Sequence, residues 1–488
     1  MSYFHFCGHP MNLRRCLSFL AVCLVTFAVA FLPTSVFGID PATLKPIFTL
    51  TQQRVIAIFV FTALMWILEV IPTWTTSVVA IVSILLTTSN KGLGFLMVGD
   101  NVGELTNYKS VMAAFADPVI MLFLGGFVLA FAATKVGLDV QLARVMLKPF
   151  GTNPKTVLLG VLLVIGIFSM FMSNTATAAM MLTFLTPVLA TLPKDGGGRI
   201  SLALAIPIAA NIGGMGTPIG TPPNAIALGA LQDAGYNITF VGWMLRMVPY
   251  VLVMLMFAWF MLLRIYPFKA KKIELKIEAA PTKTTPFQKY VVWVTFALTI
   301  ILWVGESLFK VNSNIVAMIP FAVFSATGIL KARDLEHINW AVLWMVAGGF
   351  ALGTALNQTG LATTLINTIP FASWNALVVM LVGGFICCFL SNFISNSAAA
   401  NLVVPILAVV GKAMSGNPSF DALGGVPAMI IGVAISASLA MCLPVSTPPN
   451  ALAHSTGMIT TKQMATVGII IGVTGFVLGY LMLIFIGF

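Results

Sequence analysis

Charge is the scarcest property of this sequence. Of its 488 residues only 8% are Asp, Glu, Lys or Arg, with 14 acidic side chains against 25 basic ones. An ordinary globular chain carries about 25%. With 59% hydrophobic residues and a mean hydropathy of +1.02, there are too few polar side chains to cover a globular surface, which excludes a soluble enzyme. A disordered or fibrous protein is excluded by the same composition. Cysteine is also scarce. Cys7, Cys16, Cys23, Cys387, Cys388 and Cys442 form no CxxC pair, and all but Cys7 lie in apolar segments. They read as small core residues, with no disulfide framework and no metal site.

What is present is a series of long apolar runs. A spanning helix needs about 20 such residues, and the runs are too long for barrel strands. The expected fold is an all-α polytopic membrane protein with about 11 transmembrane helices. Candidate spans lie near residues 16–36, 54–71, 75–90, 118–134, 242–265, 288–308, 312–330, 338–356 and 464–487. Residues 16–37 follow Arg14 and Arg15 and could be a cleaved signal, but their length favours a retained first helix. Residues 157–190 and 378–410 are too long for one span and crowded for two, and each carries a Ser-Asn-Ser/Thr triplet in its middle. Two half-helices meeting at a polar tip, a re-entrant hairpin, fit them better. Residues 201–232 and 427–458 read as helices broken by Gly and Pro.

The net charge of +11 could signal an anionic partner, so its placement matters. With a cytoplasmic N-terminus and two re-entrant hairpins, most of the 25 Lys and Arg fall on the inner side. They include Arg14, Arg15, Arg144, Lys148, Lys155, Lys194, Arg199 and the dense group of Arg264, Lys269, Lys271, Lys272, Lys276, Lys283 and Lys289. That agrees with the positive-inside rule and puts the C-terminus outside. Nothing in the distribution suggests nucleic acid.

The polar stretch 266–289 divides the chain into similar halves. Gly125-Gly126-Phe127 matches Gly348-Gly349-Phe350, Phe171-Met-Ser-Asn-Thr-Ala matches Phe393-Ile-Ser-Asn-Ser-Ala, and Thr221-Pro-Pro-Asn-Ala matches Thr447-Pro-Pro-Asn-Ala. The order is the same in both halves and the spacing nearly constant. The implied organisation is an N-terminal segment with the first helix (1–50), a first repeat (51–265), a cytoplasmic linker (266–289) and a second repeat (290–488). Five spans per repeat is an odd number, so the second copy enters inverted. Inverted-topology repeats are typical of secondary transporters.

Four motifs carry the chemistry. Ser173-Asn174-Thr175 and Ser395-Asn396-Ser397 sit where a half-helix begins, so free N–H groups and the positive dipole end point at the tip. Hydroxyls and the Asn amide add neutral donors, which makes a carboxylate receptor without formal charge. Small polar residues gluing helices together is the plainer reading, but it does not account for two equivalent motifs at helix breaks. Pro222-Pro223-Asn224 and Pro448-Pro449-Asn450 are structural helix breaks. The peptide before them must be extended, which frees carbonyls able to hold an alkali cation. Ser169 and Ser391, one turn before each tip, can add hydroxyl oxygens to a cation held by the tip Asn. The glycine-rich run 211–216 lacks the strand-helix context of a dinucleotide site. Glu69 and Asp117 read as interfacial caps, Lys135 as a snorkelling lysine and His454 as a packing residue.

Two Ser-Asn-Ser/Thr tips together with two Thr-Pro-Pro-Asn breaks resemble the divalent anion:sodium symporter family of dicarboxylate, citrate and sulfate transporters, over about residues 50 to 487. The resemblance implies a homodimer of scaffold and transport domains working by an elevator motion. By the motif match, Ser169, Ser173, Asn174 and the carbonyl of Gly220 would hold one sodium ion. Ser391, Asn396 and the carbonyls of Ile394 and Ser446 would hold another. Ser173, Asn174, Thr175, Thr221, Ser395, Asn396, Ser397 and Thr447 would face the substrate. The second tip departs from the dicarboxylate pattern, because Ser397 stands where those members usually carry Thr. The donor remains, but the pocket wall loses a methyl group.

The expectation is therefore a sodium-coupled symporter of small divalent anions in the cell membrane, with C4-dicarboxylates such as succinate, malate or fumarate as cargo, Na+ as coupling ion and no other cofactor. A sodium-independent exchanger of the same fold stays open. A cation/proton antiporter would want buried carboxylates near the breaks. An intramembrane enzyme would need a nucleophile and base, and no His or carboxylate lies beside either tip in sequence. A channel would need a continuous polar face.

Overall fold

The structure is a computed structural model that describes residues 4–6, 9–11, 13–41, 44–99, 101–193, 196–273 and 284–487. Cys7, Lys194, Lys276 and Lys283 lie outside them. Apart from a short hairpin of Phe4–Phe6 with His9–Met11, the named elements are helical. Nine described helices are long and apolar enough to cross a membrane, and four further apolar helices have 10–17 residues.

Burial patterns show why these helices belong in lipid. In Phe240–Ile265 the side chains of Leu245, Leu252, Val253, Met256 and Phe260 are exposed, while Trp243, Met247, Tyr250, Met254 and Leu262 are buried. Both faces are apolar, so neither suits water. In Thr461–Ile486 the outward face is Ile469, Val473, Val477, Leu481 and Phe485, and the inward face includes Gly468, Gly472, Gly475 and Gly479. Small inward residues bring backbones together, which substitutes for the hydrophobic drive that is absent between helices in a bilayer.

Several helices begin earlier than the apolar runs suggest. Thr49 caps Leu50–Leu68 through a reciprocal box with Gln52, Oγ1 accepting from the Gln52 N–H at 3.3 Å and Oε1 from the Thr49 N–H at 3.2 Å. Thr285 and Gln288 do the same for Pro286–Val304, so the last residues of the expected linker are already helical. Polar capping turns are invisible to a hydropathy run. The expected span at 312–330 is divided into Ser313–Val316 and Met318–Ala326. Leu13–Phe31 packs on Leu50–Leu68, where Gln53 Nε2 donates to the carbonyls of Val29 at 2.8 Å and Leu32 at 2.6 Å.

Both interrupted segments are helical hairpins. The first has arms Pro154–Phe171 and Asn174–Thr191, the second Ala376–Ser391 and Asn396–Met414. The broken helices are Gly197–Gly214 with Pro222–Asp233, and Gly425–Ser438 with Pro448–Ser455. Each hairpin lies on the first half of the broken helix that follows it in sequence. Its returning arm also meets the second half of the other broken helix: Asn174–Thr191 packs on Pro448–Ser455, and Asn396–Met414 on Pro222–Asp233. This exchange packs each hairpin against parts of both broken helices.

Lys135 and Asp117 tie the surroundings down. Lys135 does more than snorkel. Its Nζ donates to the Ile329 carbonyl at 2.8 Å and pairs with Asp334 at 2.5 Å. Asp117 caps Pro118–Val136 by accepting from the Val119 N–H at 2.8 Å.

Candidate ion and anion site

Each tip is set by a serine in extended conformation. Ser173 Oγ accepts from the Ala176 N–H at 3.2 Å, and Ser395 Oγ accepts from the Ala398 N–H at 3.2 Å. Both serines therefore use their oxygen as helix N-caps, which leaves the hydroxyl hydrogen to donate outward. Asn174 and Asn396 are the first helical residues, so the orphan N–H groups of two half-helices open at the tips.

Behind the first tip, oxygen atoms converge. Ser169 Oγ lies 2.7 Å from Asn174 Oδ1 and 2.7 Å from the Ala210 carbonyl oxygen. The same amide terminus of Asn174 lies 3.2 Å from the Gly220 carbonyl oxygen and 3.2 Å from that of Ala210. The amide meets these neighbours in two orientations, and only one satisfies them unaided. With nitrogen turned inward, Asn174 donates to the cluster and closes it. With oxygen turned inward, four oxygens meet around one point and a cation is the group that reconciles them.

The second tip repeats the pattern. Ser391 Oγ lies 2.8 Å from Asn396 Oδ1 and 2.8 Å from the Ala437 carbonyl oxygen. Ser391 has one hydroxyl hydrogen and two acceptors, so one oxygen contact there is left without a proton, and the same holds at Ser169 when the Asn174 oxygen turns inward. Ser169 and Ser391 are fully buried, where an unbalanced oxygen contact is expensive.

The breaks are held by their asparagines. Asn224 Nδ2 donates to the carbonyls of Thr217 at 2.8 Å and Gly214 at 3.1 Å, and Asn450 Nδ2 to those of Met441 at 2.9 Å and Leu443 at 3.0 Å. Buried carbonyls need partners, so much of what the prolines free is taken by the following Asn. Pro222 and Pro448 each open the second half-helix, with Pro223 and Pro449 behind them. Thr221 and Thr447 are its extended caps, 2% and 4% exposed.

The remaining expected residues differ in exposure and partners. Thr175 is exposed, whereas its counterpart Ser397 is buried. Ile394 is buried in the tip turn. The Ser446 hydroxyl turns to Asn392, donating to its carbonyl at 3.0 Å, with Oδ1 at 3.3 Å.

Sequence reading missed Ala210 and Ala437, whose contribution is a backbone oxygen and carries no side-chain signal. Asn392 was missed as well. Its Oδ1 accepts from the Cys442 N–H at 3.0 Å and stitches the second tip to the second break. The glycines at 213 and 214 gain a purpose here. A Cβ on Gly213 would lie 2.3 Å from the Gly166 carbonyl oxygen, and one on Gly214 would lie 2.5 Å from Asn174 Oδ1. They let the hairpin approach the broken helix closely enough to form the cluster.

Two cavities lie away from the tips. One of about 440 Å³ is lined by Asp233, Asn401 and Lys412, and an apolar one of about 710 Å³ lies between Leu50–Leu68 and the second hairpin. Neither is lined by a tip residue, and the hydrogen-bonding chemistry described above belongs to the tips.

Comparisons with known proteins agree on the class. Residues 63–426 match the citrate transporter family. A sodium-dependent dicarboxylate transporter of Staphylococcus saprophyticus is 31% identical over 85% of this chain and 82% of its own. An uncharacterized transporter of Haemophilus influenzae is 32% identical over 75% of this chain and 80% of its own. Among solved structures, the YdaH transporter of Alcanivorax borkumensis superposes with a TM-score of 0.53 at 14% identity, covering 87% of this chain and 96% of that one. MtrF of Neisseria gonorrhoeae gives 0.51 at 14% identity, over 84% and 94%. At that identity the two structures speak for the fold alone. The protein is thus a multi-pass membrane transporter, not an enzyme, and it belongs to the divalent anion:sodium symporter family of citrate- and dicarboxylate-type carriers.

Proposed function

We propose that the protein is a sodium-coupled symporter of small divalent anions, with C4-dicarboxylates such as succinate, malate or fumarate as cargo. The observation that carries this reading is the proton shortage at Ser391, one hydroxyl hydrogen against two buried oxygen acceptors, which Ser169 shares when the Asn174 oxygen turns inward. A monovalent cation at each cluster would satisfy every oxygen at once. The relatives whose names specify sodium-dependent dicarboxylate transport point the same way.

In this mechanism Na+ binds first. One ion is held by Ser169, Asn174 and the carbonyls of Ala210 and Gly220, and a second by Ser391, Asn396 and the carbonyl of Ala437. The cations fix the tip asparagines and bring positive charge beside a region that has none of its own. The dianion then meets the free N–H groups of the two half-helices and the hydroxyls of Ser173, Ser395, Thr221 and Thr447. Ser397 and Thr175 would shape the wall. The hairpins and broken helices carry the loaded site across the bilayer as one body against the remaining helices, in a homodimer with the N-terminus cytoplasmic and the C-terminus external.

The test is uptake of labelled succinate into proteoliposomes with external sodium and with choline in its place. Uptake that requires sodium is expected. Equal uptake in choline, stimulated by internal dicarboxylate, would make the protein an exchanger. Failure to take up any dicarboxylate, citrate or sulfate would end the proposal.

A further inference from the structure

Asn211 connects the two halves of the proposed site. It follows Ala210, whose carbonyl faces Ser169, and it is 1% exposed. Its Nδ2 reaches the second repeat, donating to Thr447 Oγ1 at 3.1 Å and to Asn450 Oδ1 at 3.2 Å. Thr447 Oγ1 also accepts from the Asn450 backbone N–H at 3.3 Å.

A hydroxyl oxygen has two lone pairs and one hydrogen. At Thr447 both lone pairs receive hydrogen bonds, so the only role left to that hydroxyl is donation. Its hydrogen meets no acceptor among the described residues. Thr221 stands differently. It occupies the equivalent cap but makes no side-chain cap hydrogen bond. Ser438 follows Ala437 as Asn211 follows Ala210, yet it is too short to bridge, and its Oγ has no partner. The arrangement is therefore built on one side only.

We propose that Asn211 is a positioning residue that fixes the Thr447 hydroxyl as a dedicated donor to the anion and links it to the cation cluster at Ser169. Displacing the Ala210 carbonyl toward a cation shifts the next residue, and that residue holds Thr447. Cation binding in the first repeat and anion binding at the second break then share one mechanical element. The inference rests on the reading that Thr447 faces the substrate.

The test is a double-mutant cycle in proteoliposomes, reading the succinate KM, the maximal rate and the sodium concentration for half-maximal uptake. Asn211→Ala is expected to raise KM about tenfold, the worth of one well-placed hydrogen bond to a charged group, with the maximal rate changed less than KM. Thr447→Val should give a similar rise, and the double variant should be no worse than Thr447→Val alone. Thr447→Ser keeps the hydroxyl, so the Asn211→Ala penalty should persist in that background. Because coupling between two bound ligands is reciprocal, the sodium requirement should rise in both Asn211→Ala and Thr447→Val. If Asn211→Ala does not fold, Asn211→Ser serves, since its side chain is too short to reach Thr447. Penalties that multiply in the double variant would show independent action and overturn the inference while leaving the transport reading intact. An unchanged KM in Thr447→Val would instead remove Thr447 from the anion site, and the inference would fall with that part of the reading.

Discussion

Ser169 and Ser391 occupy equivalent places in the two hairpins, each hydroxyl lying 2.7 or 2.8 Å from the amide of a tip asparagine and from an alanine carbonyl. If a cation balances these oxygens, removing either hydroxyl weakens the hold on one ion. Ser169→Ala and Ser391→Ala should each raise the sodium concentration for half-maximal uptake about tenfold, on the order of 1–2 kcal/mol. Asn174→Ala and Asn396→Ala should abolish uptake in protein that still elutes as a folded species. Normal sodium dependence in either serine variant would argue against a cation at that tip.

Gly214 offers a steric test of the same cluster. A methyl group there would lie 2.5 Å from Asn174 Oδ1, whereas one at Gly353 would meet nothing within 4 Å. Overpacking of this kind costs about 1–3 kcal/mol, and here it falls on the proposed ion ligand. Gly214→Ala should lose sodium-stimulated uptake and Gly353→Ala should keep it. Equal activity in the two would mean that the approach of hairpin to broken helix does not matter.

Lys135 and Asp334 give a pH signature away from the tips. Burial pushes the Asp334 carboxyl up, but the Lys135 hydrogen bond, the Lys331 N–H and the charges of Lys135 and His337 outweigh it and hold the group below its ordinary value. A depressed folded value stabilises the protein above the usual Asp range, near 3.9, and that stabilisation is lost as pH falls through the folded value. Because both side chains are partly exposed, the pair is worth at most about 1 kcal/mol. Asp334→Asn should lower Tm slightly at neutral pH and less in strong acid. A constant difference across that range would contradict the assignment.

The two hairpins were legible because a polar triplet in the middle of an apolar run is costly in a membrane unless the helix breaks there. The repeat also made each motif testify for its partner. What escaped was whatever lacked a side-chain signature or lay in a misleading context. The Ala210 and Ala437 carbonyls belong to ordinary helical residues. Asn211 sits in a glycine-rich run whose only recognisable pattern was a nucleotide loop, and its long-range bond to Thr447 spans 236 positions. Glu69 reads as a helix cap, and it does end its helix in a left-handed turn. Its proximity to the Ser395 N–H follows only from how the second hairpin docks. His454 Nε2 lies 3.1 Å from Thr461 Oγ1.

Asn224 and Asn450 have one more consequence. Because each side chain holds the loose carbonyls of its own break, the kinked shape does not depend on an ion for its integrity. A cation can leave without the backbone unravelling or the half-helices joining into a continuous rod. Release then requires little reorganisation, and a carrier must give up its passengers as readily as it takes them on. A scaffold that remembers its shape between loads favours short dwell times and many cycles, whereas a break held together by the ion itself would favour retention.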